Sequence, residues 1–151
     1  MHCKVYFDGS YHWDTHEATG GCVLRAEGKQ TNETWAFGKT TMQGCEFLAL
    51  KHAIIKAKEL GATSLEIYGD SKLVINVINK KWRAKAPHIK QWLKEVQAEL
   101  GQTQFCIRWI PRLQNPADEY SRLTKALKLL CVADCKLLEN TWLEEVAAFI
   151  S

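Results

Sequence analysis

Apolar residues alternate with polar ones early in the chain and recur every three or four residues later on. That change of period separates strands from helices. Three strand-length runs come first, Lys4–Asp8, Gly21–Glu27 and Thr31–Gly38, and Gly28-Lys29 is predicted to turn a hairpin between the second and third. From about Gly44 to Leu60 the apolar positions Phe47, Leu50, Ile54, Ala57 and Leu60 share one helical face, and Gly61 stops the segment. A fourth strand, Ser64–Gly69, leads into a short helix, Lys72–Asn79. A basic connector then precedes a helix from Pro87 to Leu100, stopped by Gly101, and a fifth strand, Gln104–Ile110. Pro111 to Asn115 reads as a loop, with Asn115 as N-cap and Pro116 at the first position of a helix reaching about Leu130.

This order predicts an α/β fold, a mixed five-stranded sheet with its first three strands antiparallel, flanked by helices. Residues 1–130 form the expected domain. Residues 131–151 add an amphipathic segment with Leu138, Trp142, Val146 and Phe149 on one face. That face is expected to pack on the same domain or on a second copy. A monomer with no obligatory protein partner is the first expectation, and a dimer through this segment the second.

Composition narrows the picture without redrawing it. A chain of 151 residues suits one domain and is long enough to bury about two-thirds of its unfolded surface. Its hydrophobic share of 46% and charged share of 25% are those of an ordinary globular protein. No stretch nears the ~20 apolar residues of a membrane span, and Met1-His2-Cys3-Lys4 opens no signal-peptide core. The expected setting is cytoplasmic, away from membranes. Six cysteines, Cys3, Cys22, Cys45, Cys106, Cys131 and Cys135, lack CxxC pairing or zinc-ligand rhythm. A structural role is favoured for them, with Cys131 and Cys135, four apart, as the one candidate metal half-site.

The net charge of +3 is mild, but its distribution is uneven. Between Ser71 and Lys94 stand seven basic residues (Lys72, Lys80, Lys81, Arg83, Lys85, Lys90 and Lys94) and no acid, with Trp82 and Trp92 interleaved. A charge run is often only a solvated face. A basic stripe with aromatics also suits a phosphate backbone, because binding there releases counterions. The stripe is read as a nucleic-acid contact, with Trp82 placed to stack on a deoxyribose.

Four acids carry the chemistry. Asp8 closes the first apolar run, Asp70 closes the fourth strand, Glu46 opens the long helix, and Asp118 lies in the first turn of the late helix. Each has an ordinary explanation alone: Asp8-Gly9 as a strand-ending turn, Asp70-Ser71 as a cap, Glu46 and Asp118 as first-turn acids. In an open α/β sheet, however, functional groups gather at the carboxyl ends of strands and the starts of neighbouring helices. All four are therefore expected on one rim. Carboxylates so placed repel one another unless a cation neutralises them, and an all-oxygen set suits a hard divalent ion. Two such ions about 4 Å apart can activate water on one side of a phosphodiester and stabilise the leaving oxygen on the other. Asp8, on the central strand, would bridge both ions. Glu46 and Asp70 would hold the leaving-group ion and Asp118 the water-side ion.

These pieces in this order resemble the ribonuclease H type 1 family over roughly residues 1–130. The carriers are Tyr6-Phe7-Asp8-Gly9-Ser10, Thr40-Thr41 with Glu46-Phe47-Leu48-Ala49-Leu50, Tyr68-Gly69-Asp70-Ser71, Trp109-Ile110-Pro111-Arg112 and Asn115-Pro116-Ala117-Asp118. The resemblance implies an endoribonuclease that hydrolyses the RNA strand of RNA/DNA hybrids, leaving 3′-hydroxyl and 5′-phosphate ends. It implies two Mg²⁺ ions on the four acids, with Mn²⁺ as a substitute. A catalytically weak hybrid-binding or protein-docking module is the alternative. Resolvase or integrase cores would space the acids differently, and a DEDD-type exonuclease would open with Asp-x-Glu.

Many members of that family carry a His in the loop before the fourth acid. Here Arg112-Leu113-Gln114-Asn115 stands instead, as in the His-less branch. Arg112 is expected either to contact the scissile phosphate or product, or to pin the loop. Choosing RNA requires reading 2′-hydroxyls across the wide minor groove. Backbone groups around Gly9, Ser10, Gln43 and Gly44 are the expected readers. Lys72, Lys80, Lys81, Trp82, Arg83 and Lys85 complete the expected substrate contacts. Met42 and Gln43 stand where the family often has Asn, and Lys72 where Gln is common. The basic segment is shorter than the family's protrusion, so weaker hybrid affinity is expected.

Overall fold

Strand β1, His2–His12, forms the centre of the sheet because its inward positions Cys3, Val5 and Phe7 are fully buried while Lys4 between them is exposed. The structure, a computed structural model, describes residues 1–123. The apolar face at Leu138, Trp142, Val146 and Phe149, and the Cys131/Cys135 pair, lie outside the described residues. After β1 come β2, Glu17–Ala26, and β3, Lys29–Lys39, then α1, Met42–Glu59, and β4, Ser64–Gly69. Helices α2, Lys72–Ile78, and α3, Pro87–Leu100, precede β5, Gln104–Trp109. A short 3-10 turn, Arg112–Gln114, leads to a helix opening at Asp118.

The sheet order is β3-β2-β1-β4-β5. The first three strands pair antiparallel, and β4 pairs parallel with both β1 and β5. The mixed five-stranded sheet read from the sequence is the one observed. Helix α1 lies across β1 and β2 and packs on α3. Its buried Phe47, Ala49, Leu50, Ala53, Ile54 and Ala57 meet Val5, Phe7, Leu24, Leu65 and Ile67 in one core.

Several boundaries move, each for a physical reason. The first two strands run on to residue 12 and back to residue 17, pairing Gly9 with Gly20, Ser10 with Thr19 and His12 with Glu17. Those residues break the apolar alternation, so the pattern ended the strands early. The hairpin between β2 and β3 turns at Glu27-Gly28 rather than Gly28-Lys29. Both turn residues have positive φ, 53° and 75°, as a type I′ turn requires. Helix α1 begins at Met42, capped by Thr41, whose hydroxyl accepts from the Gly44 N–H. Leu60, expected on the buried face, caps the C-terminus and is 41% exposed. Gly61, at φ 97°, then takes the left-handed conformation that stops the helix.

Candidate active site

Asp8 lies in the middle of β1, not at its end, so it is not the acid of a strand-ending turn. It nevertheless sits on a rim. Parallel pairing of β1 with β4 stops at Tyr6 opposite Tyr68, and Asp8 projects just beyond it. Asp70 follows immediately after β4 ends at Gly69, while Ser71 caps α2 by accepting from the Val74 N–H. Glu46 falls in the second turn of α1, since the helix starts four residues earlier than Glu46, and no acid occupies the first turn. Its position owes nothing to the dipole of the helix start. The Glu46 carboxylate reaches back to β1, where Oε2 accepts from the Gly9 N–H at 3.2 Å.

Gly9 allows that approach. A methyl group there would lie 2.6 Å from the Cys45 carbonyl carbon, so only glycine lets β1 and α1 come this close. As a result, one ligand oxygen each from Asp8, Glu46 and Asp70 fall within 4.8 Å of one another. Asp118 lines the same cleft but stands outside that trio. Arg122 Nη2 donates to its Oδ2 at 2.9 Å and Arg112 Nε to its Oδ1 at 3.3 Å. Arg112 thus holds the fourth acid from the loop before it.

Asn115 holds the floor together. Its amide donates to the Phe7 carbonyl at 3.0 Å and to Asp70 Oδ2 at 3.5 Å, while its Oδ1 accepts from the Ala117 N–H at 3.1 Å. The predicted cap residue therefore also orients an acid on another element. Ser121, fully buried, places Oγ 2.7 Å from Asp8 Oδ2 and 2.7 Å from the Asp118 carbonyl oxygen. Sequence reading missed Ser121 and Arg122. Their spacing from Asp118, three and four residues along one helix, was the available signal, since it puts all three on one face.

Electrostatics follow from burial. Desolvation, then repulsion from Asp70, pushes the Asp8 carboxyl up to about 8, although the Ser121 hydrogen bond opposes this. Desolvation, then repulsion from Asp8, holds Glu46 well above the usual carboxylate range. Asp70 is also raised by desolvation, against the pull of its hydrogen bonds from Asn115 and Asp8. Three carboxyls that resist ionising together make a site in want of a cation, and an all-oxygen donor set fits a hard divalent ion.

The other expected contacts are dispersed. Gly9 and Ser10 line the cleft; Gln43, Gly44, Lys72, Lys80, Lys81, Trp82, Arg83 and Lys85 are not among its lining residues. The Gly9 and Gly44 amides are both engaged within the protein, by Glu46 and Thr41. Lys72 sits 5.0 Å over the Trp109 ring, and Trp109 donates to the Asp70 carbonyl. The 80–83 stretch and Lys85 are solvent-exposed, tethered where the Lys81 and Trp82 amides donate to the Asn76 carbonyl. Trp92 does not join that stripe. It stacks on Phe47 at 5.7 Å and covers Gly44, making it part of the core margin.

This fold and this acid cleft define a ribonuclease H-like domain. The chain belongs to the reverse transcriptase-like family, whose model matches residues 6–122. It is 33% identical over 102 residues to the uncharacterized protein YpeP of Bacillus subtilis, covering 64% of this chain and 45% of that protein. The chain thus spans less than half the length of this curated relative. Among solved structures it is similar to RNase H1 from the halophilic archaeon Halobacterium salinarum, with TM-score 0.77, 26% identity and coverage of 85% and 98% of the two chains. LC11-RNase H1, solved in complex with an RNA/DNA hybrid, shares the fold at TM-score 0.75 and 24% identity, with coverage of 83% and 99%.

Proposed function

We propose that this chain is an endoribonuclease that hydrolyses the RNA strand of RNA/DNA hybrids, with divalent ions held by Asp8, Glu46, Asp70 and Asp118. The observation that carries the proposal is the convergence within 4.8 Å of three acids, buried Asp8 on β1 and half-buried Glu46 on α1 and Asp70 just after β4. Burial, and after it mutual repulsion, lifts the Asp8 and Glu46 pKa values, a cost that a bound cation would offset. A divalent ion supplies an activated water and charge neutralisation at the leaving oxygen. The protein's own residues set the geometry: Gly9 admits Glu46 beside Asp8, Asn115 aims Asp70, and Ser121 orients Asp8. Arg112 and Arg122 hold Asp118 while adding positive charge at the rim, where an anionic backbone would cross. The hybrid-bound structure of LC11-RNase H1 supports the choice of substrate.

The test is a labelled RNA/DNA hybrid incubated with Mg²⁺ or with EDTA, beside single-stranded RNA and double-stranded DNA. The expected result is internal cutting of the RNA strand of the hybrid alone, abolished by EDTA and restored by Mg²⁺ or Mn²⁺, with 3′-hydroxyl and 5′-phosphate ends. Undiminished cleavage in EDTA, or an intact hybrid in Mg²⁺, would overturn it.

A further inference from the structure

Each acid of the trio is steered from another part of the chain, and the three arrangements differ. Glu46 accepts from the Gly9 N–H at 3.2 Å, and Asp8 meets the Ser121 hydroxyl at 2.7 Å. The Asn115 amide that steers the Asp70 carboxylate stands at 3.5 Å, the outer limit of a hydrogen bond. The bond between Asp8 and Asp70 needs a proton that a bound cation displaces. The Asp70 side chain is thus the most loosely held of the three, but its main chain is held firmly. The Trp109 indole Nε1 donates to the Asp70 carbonyl at 3.0 Å, and the Ile110 N–H donates to the Gly69 carbonyl at 2.9 Å. Gly69 and Trp109 are register partners at the ends of β4 and β5, so the indole carries the parallel ladder one carbonyl further. Burial does not account for this ring, which is 43% exposed on an edge strand. Lys72, 5.0 Å from the ring centroid, braces one of its faces.

We propose that Trp109 is a positioning residue for the metal site, its indole N–H fixing the Asp70 main chain and thereby the approach of the Asp70 carboxylate to Asp8 and Glu46. This rests on the metal-dependent nuclease reading above. With the Gly69 and Asp70 carbonyls both held, the peptide planes on either side of the Asp70 Cα are fixed. The Cα–Cβ bond then points one way, and only the side-chain rotamer is left to choose. A weak bond from Asn115 suffices for that choice once the backbone no longer moves. The indole suits the task because its nitrogen can only donate, and a carbonyl can only accept.

The experiment titrates Mg²⁺ alone into wild type and Trp109→Phe by calorimetry. Phenylalanine keeps an aromatic ring beside Lys72 and removes the N–H. The Mg²⁺ affinity is expected to fall about 10-fold in Trp109→Phe, while the KM for hybrid at saturating Mg²⁺ stays close to that of wild type. In wild type itself, the Trp109 indole N–H resonance should move as Mg²⁺ is added. Those of Trp35 and Trp82, which do not line the acid cleft, should stay still. Unchanged Mg²⁺ affinity in Trp109→Phe, with or without a raised KM, or a Trp109 resonance that does not move, overturns the positioning role and leaves the nuclease reading standing. A wild type that binds Mg²⁺ but leaves hybrid intact, with weaker Mg²⁺ binding in Trp109→Phe, overturns the nuclease reading and upholds the positioning role. A wild type that takes up no Mg²⁺ overturns both.

Discussion

Ser121 joins two acids that reach the cleft from opposite ends of the chain. One hydroxyl has one hydrogen, yet Oγ stands 2.7 Å from both Asp8 Oδ2 and the Asp118 carbonyl. With Asp8 protonated, its O–H donates to Oγ, and the serine hydrogen serves the carbonyl. With Asp8 ionised, the hydroxyl turns to the carboxylate and helps aim it. Partners of this kind around a metal ligand typically account for 10- to 100-fold in metal affinity. Ser121→Ala is therefore expected to weaken Mg²⁺ binding about 10- to 100-fold, as calorimetric titration with the metal alone would show; unchanged affinity would reduce Ser121 to a packing residue. The acids themselves should matter more. Asp8→Asn, Glu46→Gln and Asp70→Asn each remove a charge without changing size and are expected to cut turnover by more than ~100-fold. The same changes relieve repulsion, so the metal-free variants should melt above wild type. Wild-type turnover in saturating Mg²⁺ by any of the three would sink the assignment.

At the scale of elements, legibility depended on whether one segment or two defined a feature. Strand β4, helix α2 with its Ser71 cap, and helix α3 were readable because each carries its own alternation or cap. The extension of β1 and β2 was not, since Gly9, Ser10, Thr19 and Gly20 support a strand only by pairing with each other. The four acids and Asn115 were visible as residue types near expected element ends, although Asp8 lies in mid-strand and Glu46 in the second turn of its helix. The pinning of Asp118 by Arg122 was announced only by a spacing of four along one helix, which residue type alone does not single out. Gly9→Ala tests the closest approach between elements. The added methyl, 2.6 Å from Cys45 backbone, must push β1 from α1, at about 1–3 kcal/mol and with loss of the Gly9–Glu46 hydrogen bond. Thermal denaturation reads the first effect and metal titration the second. The basic stretch after α2 lies outside the cleft, so its reversal should affect binding alone. A Lys80/Lys81/Arg83 triple Glu variant should show a shallower salt slope for hybrid binding, by up to about 0.9 for each phosphate it no longer neutralises. An unchanged slope would make the stretch plain solvated surface.

For the whole molecule, the cleft acids link stability to pH and to metal. The folded-state value of Asp8 is raised to about 8, and Glu46 and Asp70 are raised too. A carboxyl whose folded value exceeds its unfolded one holds its proton more tightly when folded. Its contribution to stability is full below the unfolded value, ~4, and is lost as pH climbs through the folded value. These three acids should therefore lower the metal-free melting temperature progressively between about pH 5 and about pH 8. Mg²⁺ binds the deprotonated forms, so it should raise the melting temperature more at the upper end of that range than at the lower. Scanning calorimetry in EDTA and in Mg²⁺ at several pH values measures both trends. A metal-free melting temperature that rises steadily across the range would contradict the raised values.

The cleft is also stitched from residues far apart along the chain. The Gly9–Glu46, Asn115–Asp70 and Ser121–Asp8 hydrogen bonds span 37, 45 and 113 positions. The β1–β2 and β2–β3 hairpins close locally, across the short turns at 13–16 and 27–28. Chain entropy favours local closures first, so the hairpins are expected in the folding nucleus and the acid cleft after it. A ligand that recognises only the late-formed cleft cannot speed the rate-limiting encounter. It can only hold the finished state shut. In a chevron plot Mg²⁺ should therefore lower the unfolding limb and leave the folding limb where it was.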